Sequence, residues 1–557
     1  MNDERGTMNE NQKRASCARR RVLIVGLDGA TFDVILPMIE AGRLPVLARL
    51  IEGGAWGELR STLPPLSPVA WSSFLTGKNP GRHGVFGFEE IEPGRYDFRP
   101  VAARRSGHRT LWRMAGDQGR RVVALDIPFS YPPEPVNGLL VAGFGAPTGE
   151  GSAFTWPPTL RDDLARRFGE FRVAVPGMKA SPPCNALFEA WDRILDHRGR
   201  VADHLIREED WDIFMMVLGV TDHLQHGAWT YYEPLHPDSR RPEAPQFREA
   251  LLRYYEKADV FIGRLLERVG EFGHVVVLSD HGFGTTWRGQ LTRRILVEGG
   301  WLRYRGWLGA GARVMDLAHR AYDAMPRLKK FLHRRPADRR RLKRAAACAI
   351  NWSRTAAFPA ALGWQIYVNT RGGFPNGIVE PGESCNALCQ KIKERLESAV
   401  TPGAGQRLIR RVWHRDEIFE GEAAARAPDL LVEYENLHGL AGKILQVADL
   451  DEWDLVGSHT MNGILIASGP EIRATHLSGA RIVDVAPTVL HLMDLPVPTD
   501  LDGQVLGDAF YPEALEARPV RMELPSQGAS PATKEPALLP DEIESVREQL
   551  RNLGYLE

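Results

Sequence analysis

The sequence has little net charge, no CxxC pair and no apolar run long enough to cross a bilayer, and each absence removes a class of function. Near the N-terminus, VLIVGL (22–27) follows the polar stretch MNDERGTMNENQKRASCARR. It falls far short of a signal h-region or of the roughly 20 residues a spanning helix needs. No membrane span is therefore expected, and the chain is expected to be cytoplasmic. The five cysteines, Cys17, Cys184, Cys348, Cys385 and Cys389, are odd in number and scattered. That pattern argues against a disulfide framework and a cysteine zinc site, and fits a reducing compartment. Lys and Arg total 70 against 71 Asp and Glu, a formal net charge of -1. Nothing global steers the protein to nucleic acid or anionic membrane, so no stable nucleic-acid complex is expected and any polyanion binding must be local.

What is present is ordinary globular composition, 43% hydrophobic and 25% charged, over 557 residues. Continuous apolar runs read as buried strands: VLIVGLD (22–28), VVALDIP (122–128), GLLVAGF (138–144), DIFMMVLGV (212–220), HVVVLSD (274–280), DLLVEY (429–434) and GILIASG (463–469). Helical patterns such as 245–270 and 483–495 lie between them. The alternation predicts an α/β fold, a mostly parallel central sheet with helices on both faces.

The predicted organisation is a disordered stretch 1–20, a catalytic α/β domain from 21–300 and 401–511, an inserted rim region 301–400, and a linker with a C-terminal helix over 512–557. Within the insert, residues 327–345 hold ten Lys or Arg in nineteen positions. They read either as a solvated helical face or as a basic lid over an anionic substrate. In the terminal helix, Ile543, Val546, Leu550 and Leu553 form one stripe, with Gly554 as a stop, and the stripe is expected to dock on the body or on another subunit.

Chemistry in such sheets gathers at the carboxyl ends of strands. Asp28 ends the first run, Asp280 and His281 follow the 274–280 run, and Asp222 follows the 212–220 run with His226 four residues on, one helical turn away. His459 lies in GSHTMNG before the last run, while His223 points elsewhere on its turn and is left out. Singly, each is also a plain cap, turn or loop residue. Together, three aspartates, three histidines and one serine suffice for two metal ions, the arrangement that clamps attacking and leaving oxygens in phosphoryl displacement. The serine is Ser67 in PPLSPVAWSSFLTG, read as N-cap of a helix ended by Gly77. Free N–H groups and the positive end of the helix dipole there favour phosphate and a developing alkoxide.

In this order, GLDG, PPLSPVAWSSFLTGKNPGRHG, TDHLQH, SDHG and GSHTMNGILIASGP resemble the alkaline phosphatase superfamily, above all its type I phosphodiesterase/nucleotide pyrophosphatase branch. The resemblance implies an alkaline-phosphatase-like fold and a two-metal phosphohydrolase, a phosphodiesterase working through a phosphoseryl intermediate on Ser67. It implies Asp28, Ser67, Asp280 and His281 around one metal and Asp222, His226 and His459 around the other, with zinc expected. The substrate class is a small-molecule phosphate ester, nucleotides included. A phosphomutase or phosphotransferase of the same superfamily, or a non-catalytic binding relative, stays open. One departure concerns Ala70, where the resemblance calls for a phosphate-binding Asn three residues after the nucleophile.

Overall fold

A computed structural model describes residues 20–553 except 93, 102–107, 148–151, 172, 174–184, 235, 271–272, 288–290, 306–349, 361, 402–404, 441–454 and 526–537. The basic run 327–345 and the Gly554 stop lie outside the described residues.

Five of the seven apolar runs form the parallel centre of a ten-stranded sheet, in the order His274–Leu278, Val22–Leu27, Ile213–Leu218, Val122–Ile127, Gly138–Ala142. Side chains of these strands point alternately to two faces, and both faces are covered, which is why the runs read as uninterrupted apolar stretches. One face packs Leu23, Val25 and Phe214 against Ile35, Leu224 and Ile262, and the other packs Ile24, Ala124 and Met215 against Trp71, Phe74 and Val489. The run at 463–469 enters the same sheet but antiparallel, as Asn462–Ser468 between His274–Leu278 and Ala55–Arg60.

The run at 429–434 departs from expectation. Leu430–Tyr434 is not in the central sheet but in a second, antiparallel sheet ordered Ala357–Pro359, Gln365–Val368, Leu430–Tyr434, Ile409–His414. A fully buried strand has the same continuous pattern in either setting, so periodicity cannot tell them apart. The stretch read as a linker contains a helix, Pro512–Ala517, and a short strand, Met522–Glu523, paired with Val497–Pro498. The terminal helix Pro540–Leu553 docks on the body: Val546 and Leu550 are fully buried against Leu66, Val69, Val85, Phe88 and Phe129.

Candidate active site

Three adjacent parallel strands end side by side, with Gly26 in register with Leu278 and Leu27 with Leu218. The residues that follow are therefore delivered to one place: Asp28 from the first strand, Asp280 and His281 from the second, Asp222 from the third. Asp222 sits in the first turn of the helix Val220–Tyr232, which puts His226 one turn further along the same face. His459 arrives on the strand Leu455–Thr460, paired antiparallel with Gly282–Trp287, where it lies opposite Phe283.

The seven residues singled out in the sequence come together. His226 Nε2 and His459 Nε2 lie 3.4 and 3.3 Å from Asp222 Oδ1 and 3.0 Å from each other. His281 Nε2 lies 3.3 Å from Ser67 Oγ, 3.4 Å from Asp280 Oδ2 and 3.7 Å from Asp28 Oδ1. Ligand atoms of Asp222, His226 and His459 lie within 4.8 Å of one another, and so do those of Asp28, Asp222 and His281. Asp222 thus stands between the two groups.

Neighbouring groups hold these side chains in place. Nδ1 of His459 donates to the Pro65 carbonyl at 2.9 Å, and Nδ1 of His281 donates to the Gly282 carbonyl at 2.9 Å. Each bond leaves the Nε2 lone pair facing the cluster. The Trp71 indole donates to Asp28 Oδ2 at 3.2 Å, the Gly29 N–H donates to Asp280 Oδ1 at 3.2 Å, and the Thr221 hydroxyl donates to the Asp28 carbonyl at 2.6 Å. Gly29 has φ +65°, and a Cβ there would stand 3.0 Å from Asp222 Oδ1, so the turn calls for glycine. Trp71 and Thr221 were not legible as partners of Asp28: the contact with Trp71 spans 43 residues of sequence, and that with Thr221 spans 193.

Two expectations about the Ser67 segment change. Ser67 is the first residue of the helix Ser67–Thr76 rather than its cap; Leu66 is the cap and contributes no side-chain bond. Nor does the helix start offer a set of free N–H groups. Pro68 has none, and the Val69 and Ala70 N–H groups both donate to the Leu66 carbonyl. What remains at Ser67 Oγ is the helix dipole and the cluster itself. Ala70 is fully buried in the apolar layer with Val22, Ile24 and Phe74, and it does not line the cavity beside Ser67, so no phosphate contact is expected from that position.

The electrostatics of the cluster are unfavourable for bare protein. Burial raises Asp28 well above the usual carboxylate range, and the Asp280 and Asp222 charges raise it further. Asp280 is pushed up to about 7, first by burial and then by Asp222. Burial also opposes charge on Asp222, but His226 and His459 outweigh it and hold that carboxyl well below its ordinary value. His281 is held well below its ordinary range by burial and then by His459. Three carboxyl groups this close cannot all ionise without added positive charge. Consistent with that, Asp28 Oδ1 and Asp280 Oδ2 are buried and accept no hydrogen bond among the described residues. Buried acceptors of this kind, with inward imidazole nitrogens and a hydroxyl, fit divalent metals that take mixed nitrogen and oxygen ligands.

His223 stays out of the cluster, as its place on the turn implied. It stacks on Trp191 with centroids 5.1 Å apart, and burial lowers it to about 4. Among the described residues, no helix is long and apolar enough to cross a membrane.

Comparison with solved structures finds similar folds at low identity. A phosphonoacetate hydrolase from Sinorhizobium meliloti, in complex with phosphonoacetate, is 17% identical, with 84% of this chain and 94% of that chain covered and a TM-score of 0.47. Murine ectonucleotide pyrophosphatase/phosphodiesterase 5 is 12% identical, with 88% and 100% covered and a TM-score of 0.45. A wild-type alkaline phosphatase is 13% identical, with 88% and 99% covered and a TM-score of 0.47. No curated protein sequence matches the chain. The sequence model described as type I phosphodiesterase / nucleotide pyrophosphatase matches residues 22–438. The chain belongs to this family and is a hydrolase acting on phosphoric ester bonds.

Proposed function

We propose that the protein is a two-metal phosphodiesterase in which Ser67 is the nucleophile. The observation that carries this reading is the convergence of Ser67 Oγ with two buried carboxylate oxygens that accept no hydrogen bond among the described residues and with inward-facing imidazole nitrogens. Asp28, Ser67, Asp280 and His281 would hold one divalent ion and Asp222, His226 and His459 the other, zinc being the natural choice for this donor set. Such ions supply charge neutralisation for the aspartates, a lowered hydroxyl pKa at the serine, and stabilisation of the negative charge that builds up on oxygen.

The protein's own residues supply position. Ser67 is fixed at a helix start with its Oγ facing His281 Nε2, so the oxygen is presented with little freedom to turn away. Its Oγ attacks phosphorus, the bond from phosphorus to the ester alcohol breaks on the opposite side, and the alcohol takes up a proton. Water then cleaves the phosphoseryl ester, releasing the monoester and restoring the hydroxyl. The Trp71 and Gly29 donors keep the Asp28 and Asp280 carboxylates aimed while charge shifts.

Turnover of bis-p-nitrophenyl phosphate against p-nitrophenyl phosphate tests the diester preference, and Ser67→Ala tests the nucleophile. The diester is expected to be the better substrate, and Ser67→Ala is expected to lower its turnover at least about a thousandfold. An unchanged rate in that variant would show that the nucleophile lies elsewhere.

A further inference from the structure

The turn that presents Ser67 is anchored on three sides. Upstream, Leu63 belongs to the core of the second sheet, with Ile366 and Leu430. Downstream, Ala70, Trp71 and Phe74 belong to the apolar layer on the central sheet. Between them, Leu66 and Val69 are three residues apart and so share one face of the helix start. They are 3% and 0% exposed, in one apolar cluster with Val85, Phe88, Val101, Phe129 and, from the terminal helix Pro540–Leu553, Val546 and Leu550. Leu66 directly precedes Ser67, and its carbonyl accepts the Val69 and Ala70 N–H groups that close the first turn.

Polar contacts tie the same terminal helix to other segments around the site. Gln549 Nε2 donates to the Ala146 carbonyl at 2.7 Å, Arg547 Nη2 donates to the Phe98 carbonyl at 3.0 Å, and the Tyr131 hydroxyl donates to Glu542. Ala146 and Tyr131 lie just past Phe144 and Pro128, which line the cavity beside Ser67. Gln549 is 6% exposed, and its Oε1 accepts no hydrogen bond among the described residues. A buried acceptor without a donor costs stability, so a helix that only covered apolar surface would gain from an apolar residue there. The glutamine amide instead holds the backbone of the loop that carries Phe144.

We propose that the terminal helix is a positioning element for catalysis: through Val546 and Leu550 it fixes Leu66 and Val69, and with them the place of Ser67 Oγ for attack on phosphorus. The inference rests on the reading of Ser67 as nucleophile. Val546 and Leu550 act through the turn and not on the substrate, since neither lines the cavity. No side-chain bond caps the helix Ser67–Thr76, so packing around Leu66 does what a cap does elsewhere. Attack is sensitive to that packing, because a displacement of about 1 Å at a reacting atom can cost about a hundredfold in rate.

The test compares full-length, zinc-loaded Leu550→Ala, Leu550→Met and Leu265→Ala in single-turnover cleavage of bis-p-nitrophenyl phosphate at saturating enzyme. An unfolded fraction changes how much enzyme saturates the reaction but not the limiting rate of p-nitrophenol release. Leu550→Ala is expected to lower that rate about 10- to 100-fold with its zinc content and the half-saturating concentration of folded enzyme unchanged. Leu550→Met keeps the side-chain volume and is expected to stay within about threefold of wild type. Leu265 is also fully buried, but it lies near the end of the helix Ala244–Leu266, which leads to the amino end of the strand His274–Leu278, the edge away from Ser67. Leu265→Ala is therefore expected to lower the unfolding temperature and not the rate. Val546→Ala opens a smaller cavity under the same turn and is expected to slow release about threefold or more, which keeps the test decisive where Leu550→Ala folds poorly. Wild-type rates in Leu550→Ala and Val546→Ala, zinc lost in step with the rate, no recovery in Leu550→Met, or an equal slowing in Leu265→Ala overturns the proposal. Release unaffected by Ser67→Ala would instead overturn the nucleophile assignment on which it stands.

Discussion

Both sheets bury acids, and they treat them in opposite ways. In the second sheet, Asp429 accepts the Val368 N–H at 2.7 Å and lies 3.3 Å from Arg415 Nη1. Glu433 accepts the Trp413 indole at 2.9 Å through one oxygen, and its other oxygen, which accepts no hydrogen bond among the described residues, faces two cations, Arg60 and Arg410, each 3.8 Å away. At the carboxyl edge of the central sheet, Asp28 and Asp280 each keep one buried oxygen that no described donor reaches. The second-sheet acids are placed to hold strands together, and on the two-metal reading proposed above Asp28 and Asp280 hold ions that the chain does not itself provide.

Breaking one acid of each kind sharpens that contrast. Asp280→Asn is expected to lower diester turnover by about a thousandfold or more while leaving the metal-free protein no less stable, because it removes like-charge repulsion. Thermal unfolding in chelator, beside a turnover assay, checks both halves. Trp71→Phe keeps the ring but loses the 3.2 Å bond to Asp28, and it should cost roughly 10- to 100-fold in turnover or metal affinity, the usual range for a group that orients a ligand. Asp429→Ala should do the reverse of Asp280→Asn: metal content and turnover per folded molecule persist, while stability falls by about 1–3 kcal/mol as the Val368 N–H and Arg415 lose their acceptor. Denaturant unfolding reads that loss directly.

The comparison also has a pH signature. Asp280 is raised to about 7 when folded, so in the chelated protein it binds its proton more tightly than the unfolded chain does. Between pH about 4 and 7 the folded state therefore holds the extra proton, and stability falls as pH rises through that window. Measured as the difference between chelated wild type and chelated Asp280→Asn, the slope should be negative with rising pH. Added metal should flatten it.

Much of this site was legible in the sequence because a parallel strand buried on both faces is a continuous apolar run, and the residue after it sits at the sheet edge. That reasoning placed Asp28, Asp222, Asp280 and His281. His226 followed from helical spacing, and the central sheet itself from the alternation. What escaped were properties of three-dimensional neighbours. The strand 430–434 carries the same apolar pattern as a central strand yet pairs elsewhere. Ser67 was read as a cap because Ser-Pro commonly marks one, whereas the helix begins a residue earlier in register and Pro68 takes its second position. The seat of the terminal helix beside Ser67 left no local signal, since an apolar stripe shows that a helix docks but not which surface receives it.

Metal content tests the central claim most directly. Elemental analysis of the purified chain after equilibration with excess zinc, followed by removal of free ion, should find close to two ions per chain in wild type and in Asp429→Ala, and fewer in Asp280→Asn. Wild-type protein with no bound ion, or Asp280→Asn with the full wild-type complement, would contradict the assignment of the unpartnered carboxylates as metal ligands.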